Sequence, residues 1–203
     1  MELRIAKILS VIFHPLLIPT YIIAVLINLN VFFALIIPYD AKIKIIFLVL
    51  ITSAIFPVIT LYGMFRLGLI KDLIMERKED RIYPYVASSL FLFLSYYLIY
   101  EVNISPVYYY CLLGASILAV ITLFVNFIWK ISAHTVSMGA ILGAFIGFHN
   151  VLMIDLLWLI VVSIFLAGLI GFARLRAGNH TQAQIYAGYI LGFSIMYLLI
   201  RYY

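Results

Sequence analysis

Charge is so sparse in this chain that the gaps between charged residues set what it can fold into. Residues 8 to 39, 45 to 65, 82 to 100, 102 to 129, 131 to 154, 156 to 173 and 177 to 200 contain no Asp, Glu, Lys or Arg. Each gap is close to or longer than the roughly 18 to 20 residues that a helix needs to cross about 30 Å of hydrocarbon. A chain of 203 residues that is 67% hydrophobic and 10% charged, with a mean hydropathy of +1.21, cannot bury all of these runs in a soluble core. The composition therefore defines an integral membrane protein. Transmembrane barrel strands would show short alternating segments of about ten residues, and these runs are longer and uniformly apolar. The expected fold is all-α, a polytopic transmembrane helix bundle of about six to seven spans.

Spans are predicted over 8–37, 42–66, 84–101, 106–129, 134–149, 151–172 and 182–201, in a single domain covering 1–203. His14, Pro15 and Pro19 provide a kink or a re-entrant start to the first of them. That run follows Arg4 and Lys7 but is too long for a signal peptide and ends without a small-residue cleavage pattern. Cys111, the one cysteine, excludes a disulfide framework and a thiolate metal site. The net charge of +5 has no soluble basic domain behind it, so membrane lipids are expected as partners rather than nucleic acid.

With this parity, the N-terminus, the 67–83 loop, the 130–133 turn and the 173–181 turn share one side of the membrane. Tyr39, Tyr96, Tyr97, Tyr100, Tyr108 to Tyr110, Tyr202 and Tyr203 then fall at the opposite interface, where amphipathic rings settle at headgroup depth. Ten of the 13 basic residues lie on the N-terminal side, and Lys42, Lys44 and Arg201 lie on the other. By the positive-inside rule alone the N-terminal side is cytoplasmic. Basic residues recruited to an anion would inflate that count.

Three polar stretches on the N-terminal side stand out. Residues 66 to 84 carry nine of the 21 charged residues. This stretch reads either as a solvated loop or interfacial helix, or as a loop from which Arg77, Lys78 or Arg81 reaches a lipid phosphate. Glu76, Glu79 and Asp80 keep it nearly neutral, which argues against a polybasic anchor. Residues 129 to 140, WKISAHTVSMGA, form a polar turn leading into a helix poor in bulky residues. Ser132 is a candidate N-cap there, His134 falls in the first turn, and the amides of a helix N-terminus form an anion cradle. In residues 171 to 189, GFARLRAGNHTQAQIYAGY, a helix beginning near residue 180 would put His180 and Gln184, four apart, on one face, with Arg174 and Arg176 just before them. Two imidazoles and several guanidiniums at one interface suit phosphoryl transfer: one ring attacks phosphorus, the other protonates the leaving alkoxide, and the cations hold the equatorial oxygens. That chemistry requires no metal or cofactor. His149 and Asp155 fall at the opposite face as polar groups of a helix turn, and His14 has no evident partner.

These stretches resemble the type-2 phosphatidic acid phosphatases, membrane enzymes related in their active site to vanadium haloperoxidases and glucose-6-phosphatase. The family's third motif, Ser-Arg, five residues, His, three residues, Asp, is matched in spacing by Ala173-Arg174, five residues, His180, three residues, Gln184. The second motif, Pro-Ser-Gly-His, is matched at Ser132 and His134 of Ile131-Ser132-Ala133-His134. The first motif, Lys, six residues, Arg-Pro, has only loose counterparts in Lys71, Arg77, Lys78 and Arg81 ahead of Pro84. The resemblance covers roughly the C-terminal two-thirds of the chain.

The resemblance implies that His180 is a nucleophile forming a phosphohistidine and that His134 is the general acid for a leaving lipid alcohol. Arg174 would bind phosphate, with Ser132 and one or more of Arg77, Lys78 and Arg81. Gln184 would orient His180 in place of the family Asp, without its negative charge; a serine-protease Asp to Asn change costs about 10⁴ in rate. The expected function is metal-independent hydrolysis of a lipid phosphomonoester or diphosphate. The alternative is a catalytically impaired lipid-phosphate binder or a transporter-like bundle. The resemblance also implies a site facing the periplasm or exterior, against the raw charge count.

Overall fold

The computed structural model describes residues 2–71, 81–178 and 180–202, and among them all regular structure is helical. Six continuous helical stretches are long and apolar enough to cross a membrane: Tyr39–Arg66, Ile82–Glu101, Pro106–Ile128, Ala133–Leu152, Leu157–Arg176 and Gln182–Arg201. These coincide with the last six predicted spans, so the chain is a polytopic helical membrane protein. The chain divides into two compact units, Met1–Pro15 with Ile128–Tyr203, and Leu16–Phe127, where the sequence reads as one domain.

The first predicted span, 8–37, is not continuous. Helix α1 covers Glu2–Ile12 and α2 covers Ile18–Ile27, followed by a single turn, α3, at Phe32–Leu35. Pro15 lacks an N–H and forces the residue before it, His14, out of helical geometry, so α1 stops ahead of it. Pro19 causes no break, because it sits in the first turn of α2 where no intrahelical donor is needed. The break coincides with the boundary between the two units.

In the unit 16–127, α4 (Tyr39–Leu50) passes through a π-helical turn, Ile51–Ile55, into α5 (Phe56–Arg66). Pro57 supplies the reason: its ring would clash with the carbonyl four residues earlier, and the wider turn, in which Phe56 N–H reaches back to Ile51 O, removes the clash. The turn also presents buried hydroxyls. Thr20 and Ser53 share a hydrogen bond of 3.2 Å, and Ser95 of α6 (Ile82–Glu101) donates to Thr52 at 2.6 Å. Ser116 of α7 (Pro106–Ile128) donates to Ser89 O at 3.1 Å. Tyr96, Tyr100, Tyr109 and Tyr110 pack ring against ring as an aromatic cluster. Tyr108, in the first turn of α7, differs from these neighbours. It is fully buried, with its hydroxyl directed to Phe33 O, because on α7 it faces inward.

The other unit joins α1 to α8 (Ala133–Leu152), α9 (Leu157–Arg176) and α10 (Gln182–Arg201). Helices α8 and α10 meet backbone to backbone. A Cβ on Gly139 would collide with the main-chain oxygen of Tyr189, one on Gly143 with that of Phe193, and one on Gly192 with that of Val136. Within hydrocarbon, such small-residue seams replace the hydrophobic effect as the source of helix pairing. At the far end, His149 Nδ1–H donates to Ile154 O at 2.8 Å and Asp155 Oδ1 accepts from Leu157 N at 3.0 Å, so both residues secure the α8–α9 turn.

Candidate functional site

The start of α8, the end of α9 and the start of α10 come together at one end of this unit. Ser132 is in the N-cap position with extended backbone (φ −87°, ψ 110°), but its side chain makes no capping bond. Its main-chain oxygen accepts from Val136 N and from Thr135 Oγ1, each at 3.0 Å. The Ser132 hydroxyl is fully enclosed and has no hydrogen-bond partner among the described residues. An enclosed, unsatisfied hydroxyl beside a helix N-terminus, whose first amides have no intrahelical acceptor, is suited to an oxyanion. Gly188 lets α10 reach this turn, since a Cβ there would run into Thr135 and lie 3.2 Å from Ser132 O.

His134 stands in the first turn of α8. Its Nε2–H donates to Ser10 O at 3.0 Å, and its ring meets that of His14 edge-on, with centroids 5.6 Å apart and planes at 81°. Arg174, in the last turn of α9, donates from Nη1 to Ser10 Oγ at 3.2 Å. Arg174 and His180 lie within electrostatic range of His134, and Arg174 lies within range of His14. His134, Arg174 and His180 are therefore neighbours.

Local chain geometry brings His180 back to this point. After α9, Gly178 takes a left-handed conformation (φ 73°) and its N–H bonds Leu175 O at 3.0 Å, an ending that glycine adopts without strain. The reversal leaves His180 buried, 8% exposed, before α10 rather than within it, so His180 and Gln184 do not share a helix face as their spacing suggested. Thr181 and Gln184 then form a reciprocal capping box: Thr181 N donates to Gln184 Oε1 at 3.0 Å, and Gln184 N donates to Thr181 Oγ1 at 3.4 Å. The oxygen that the resemblance assigns to orienting His180 is thus engaged with the backbone. Arg176 lays its guanidinium over Phe172 at 5.3 Å, a cation–π contact within α9.

The basic loop contributes less that can be placed. Arg77 and Lys78 lie outside the described residues. Arg81 occupies the N-cap position of α6, in the other unit, and its guanidinium hydrogen-bonds the hydroxyl of Tyr85. Two residues at the site were not assigned from the sequence: Ser10, and His14, for which the sequence suggested no partner. The signal for His14 was its place in an apolar run, where an ionisable group is a functional candidate by default.

Beyond the polar cluster, an apolar groove of about 280 Å³ runs between α8, α9 and α10, walled by Met138, Leu142, Ile164, Ala167, Tyr189 and Phe193. Met138 follows His134 by one helical turn, and Ala167 precedes Arg174 by two, on nearly the same faces. Among the described residues no three His, Cys, Asp or Glu side chains are placed to hold a metal ion. Comparison with protein-family models, with curated proteins and with solved structures returns no match.

Proposed function

We propose that this protein is a membrane phosphatase acting on a phosphorylated lipid, with His134, His180 and Arg174 as its reacting groups. The observation that carries the reading is the convergence of two imidazoles, a guanidinium and an enclosed serine hydroxyl at the N-terminus of α8. The apolar groove beside it supports an amphiphilic substrate with a phosphate head and a hydrocarbon tail. In the first half-reaction a ring nitrogen of His180 bonds to phosphorus as the bond to the lipid alcohol breaks, and His134 gives the departing oxygen its proton. In the second, His134 takes a proton from water, which attacks the phosphohistidine, breaking the P–N bond and releasing phosphate. Arg174, Ser132 and the first amides of α8 hold the non-bridging oxygens. Arg77, Lys78 and Arg81 remain candidate phosphate ligands from the basic loop. No metal ion or cofactor takes part in this scheme. The proposed location is the cytoplasmic membrane, with the site open to the periplasm or exterior.

A second reading has its own support. The Gln184 oxygen is engaged in a capping box and, as an amide, brings no negative charge to a nucleophilic His180. A lipid-phosphate binder without turnover, or a transporter-like protein, needs the cradle and not the nucleophile. Phosphate release by purified protein, assayed on phosphatidate, phosphatidylglycerol phosphate, polyprenyl diphosphate and lipid A phosphates with a His180→Ala control, decides between them. Release that requires His180 supports the enzyme, whereas binding of these lipids without release supports the alternative.

A further inference from the structure

We propose that Ser10 is a positioning residue of this phosphate site, holding Arg174 through its hydroxyl and His134 through its main-chain carbonyl. The N-terminal helix α1 thereby becomes a working part of the site formed by α8, α9 and α10. This inference rests on the phosphatase reading for its kinetic consequences, although the geometry stands apart from it.

The carbonyl is released by the helix break. In a continuing helix, Ser10 O would accept from the amide of residue 14. Here α1 ends ahead of Pro15, and His14 N bonds Val11 O at 3.2 Å instead. Ser10 O is left to accept from His134 Nε2. A carbonyl can only accept, so this contact places the ring proton of His134 on Nε2 and makes Nδ1 the nitrogen that exchanges protons with a ligand. Such a contact to the second ring nitrogen fixes both tautomer and ring orientation, as it does in catalytic and metal-binding histidines.

The hydroxyl has an equally defined polarity. Ser10 Oγ–H donates to Ala6 O at 2.9 Å, so its only proton is used within α1. Its lone pairs then face Arg174, which can only donate. One serine thus sets the direction of the guanidinium and the protonation pattern of the imidazole that face the same phosphate.

Two measurements test this. In protein carrying ¹⁵N-histidine, with the His134 signals assigned by comparison with His134→Gln, the ring should show protonated Nε2 and bare Nδ1 above pH 8. An Nδ1-protonated ring, or an equal mixture of tautomers, overturns the carbonyl role. Ser10→Ala retains that carbonyl and removes the hydroxyl, so KM for the lipid substrate should rise about tenfold with kcat changed less than about twofold, and Ser10→Thr should restore KM. An unchanged KM in Ser10→Ala overturns the hydroxyl role. If the wild type releases no phosphate from any lipid of the panel, the phosphatase reading fails on its own. The same variants are then compared for binding of orthovanadate by ⁵¹V NMR, where about tenfold weakening in Ser10→Ala sustains the inference and equal binding overturns it.

Discussion

What an imidazole can do depends on what its two nitrogens face, and the two site histidines differ in this respect. His134 has one nitrogen tied to the backbone of α1, while His180 is enclosed in the turn ahead of α10. Under the proposed reaction, His134→Ala loses the proton donor and should slow phosphate release by about 10² to 10⁴, a general acid's usual contribution. It should still accumulate an acid-labile phosphohistidine with a diphosphate substrate, whose leaving group needs less protonation, whereas His180→Ala should form none. Trapping with ³²P-labelled polyprenyl diphosphate checks this, and label retained in His180→Ala refutes the assigned nucleophile. Gln184 poses a separate question, because its amide closes a capping box rather than addressing an imidazole. Gln184→Ala should therefore destabilise the protein by about 1 kcal/mol, read as a lower Tm, with the rate at saturating substrate changed less than about twofold. A large loss of kcat at unchanged Tm would return Gln184 to the catalytic role that spacing implies.

At the scale of elements, the seam between α8 and α10 holds the histidine-bearing turns at a constant separation, and glycine makes the seam possible. Gly192→Ala should cost about 1 to 3 kcal/mol, since its Cβ meets main chain that cannot move aside, and thermal unfolding in detergent measures it. Gly168→Ala on α9 is the control: nothing lies within 4 Å of the added Cβ, so its Tm should be unchanged or slightly raised. Ala167→Phe should narrow the apolar groove and raise KM for long-chain lipid phosphates several-fold while leaving a short-chain analogue unaffected, and equal effects on both would detach the groove from substrate binding. The six long helices were legible in the sequence because an uncharged run of span length has few other fates. The pairing of α8 with α10 was written in the four-residue spacing of Gly139, Gly143 and Gly147, a signal weaker than the bulky periodicity that usually marks a packed face. The partnership of His14 and Ser10 with His134 and Arg174 left no local trace, since spacing along a chain reports only neighbours within a few turns, and Ser10 and Arg174 are 164 residues apart.

At the scale of the molecule, two physical arguments bear on sidedness. The proposed outward site sets the resemblance against a basic-residue count that includes the very cations assigned to phosphate. In a Cys111→Ala background, a cysteine at the exposed Gln182 should react with an impermeant maleimide in intact spheroplasts, and protection until lysis would place the site in the cytoplasm. The division into two units has a further meaning in time. Helix α1 belongs with α8, α9 and α10, and the whole of the other unit is synthesised between them. Newly made α1 must therefore wait until all of α2 to α8 has been made before its Ser10 meets Arg174 of α9. Until α9 and α10 arrive, a nascent chain lacks the grouping of His134, Arg174 and His180, so under the proposed function no lipid could be turned over while the protein is still being built.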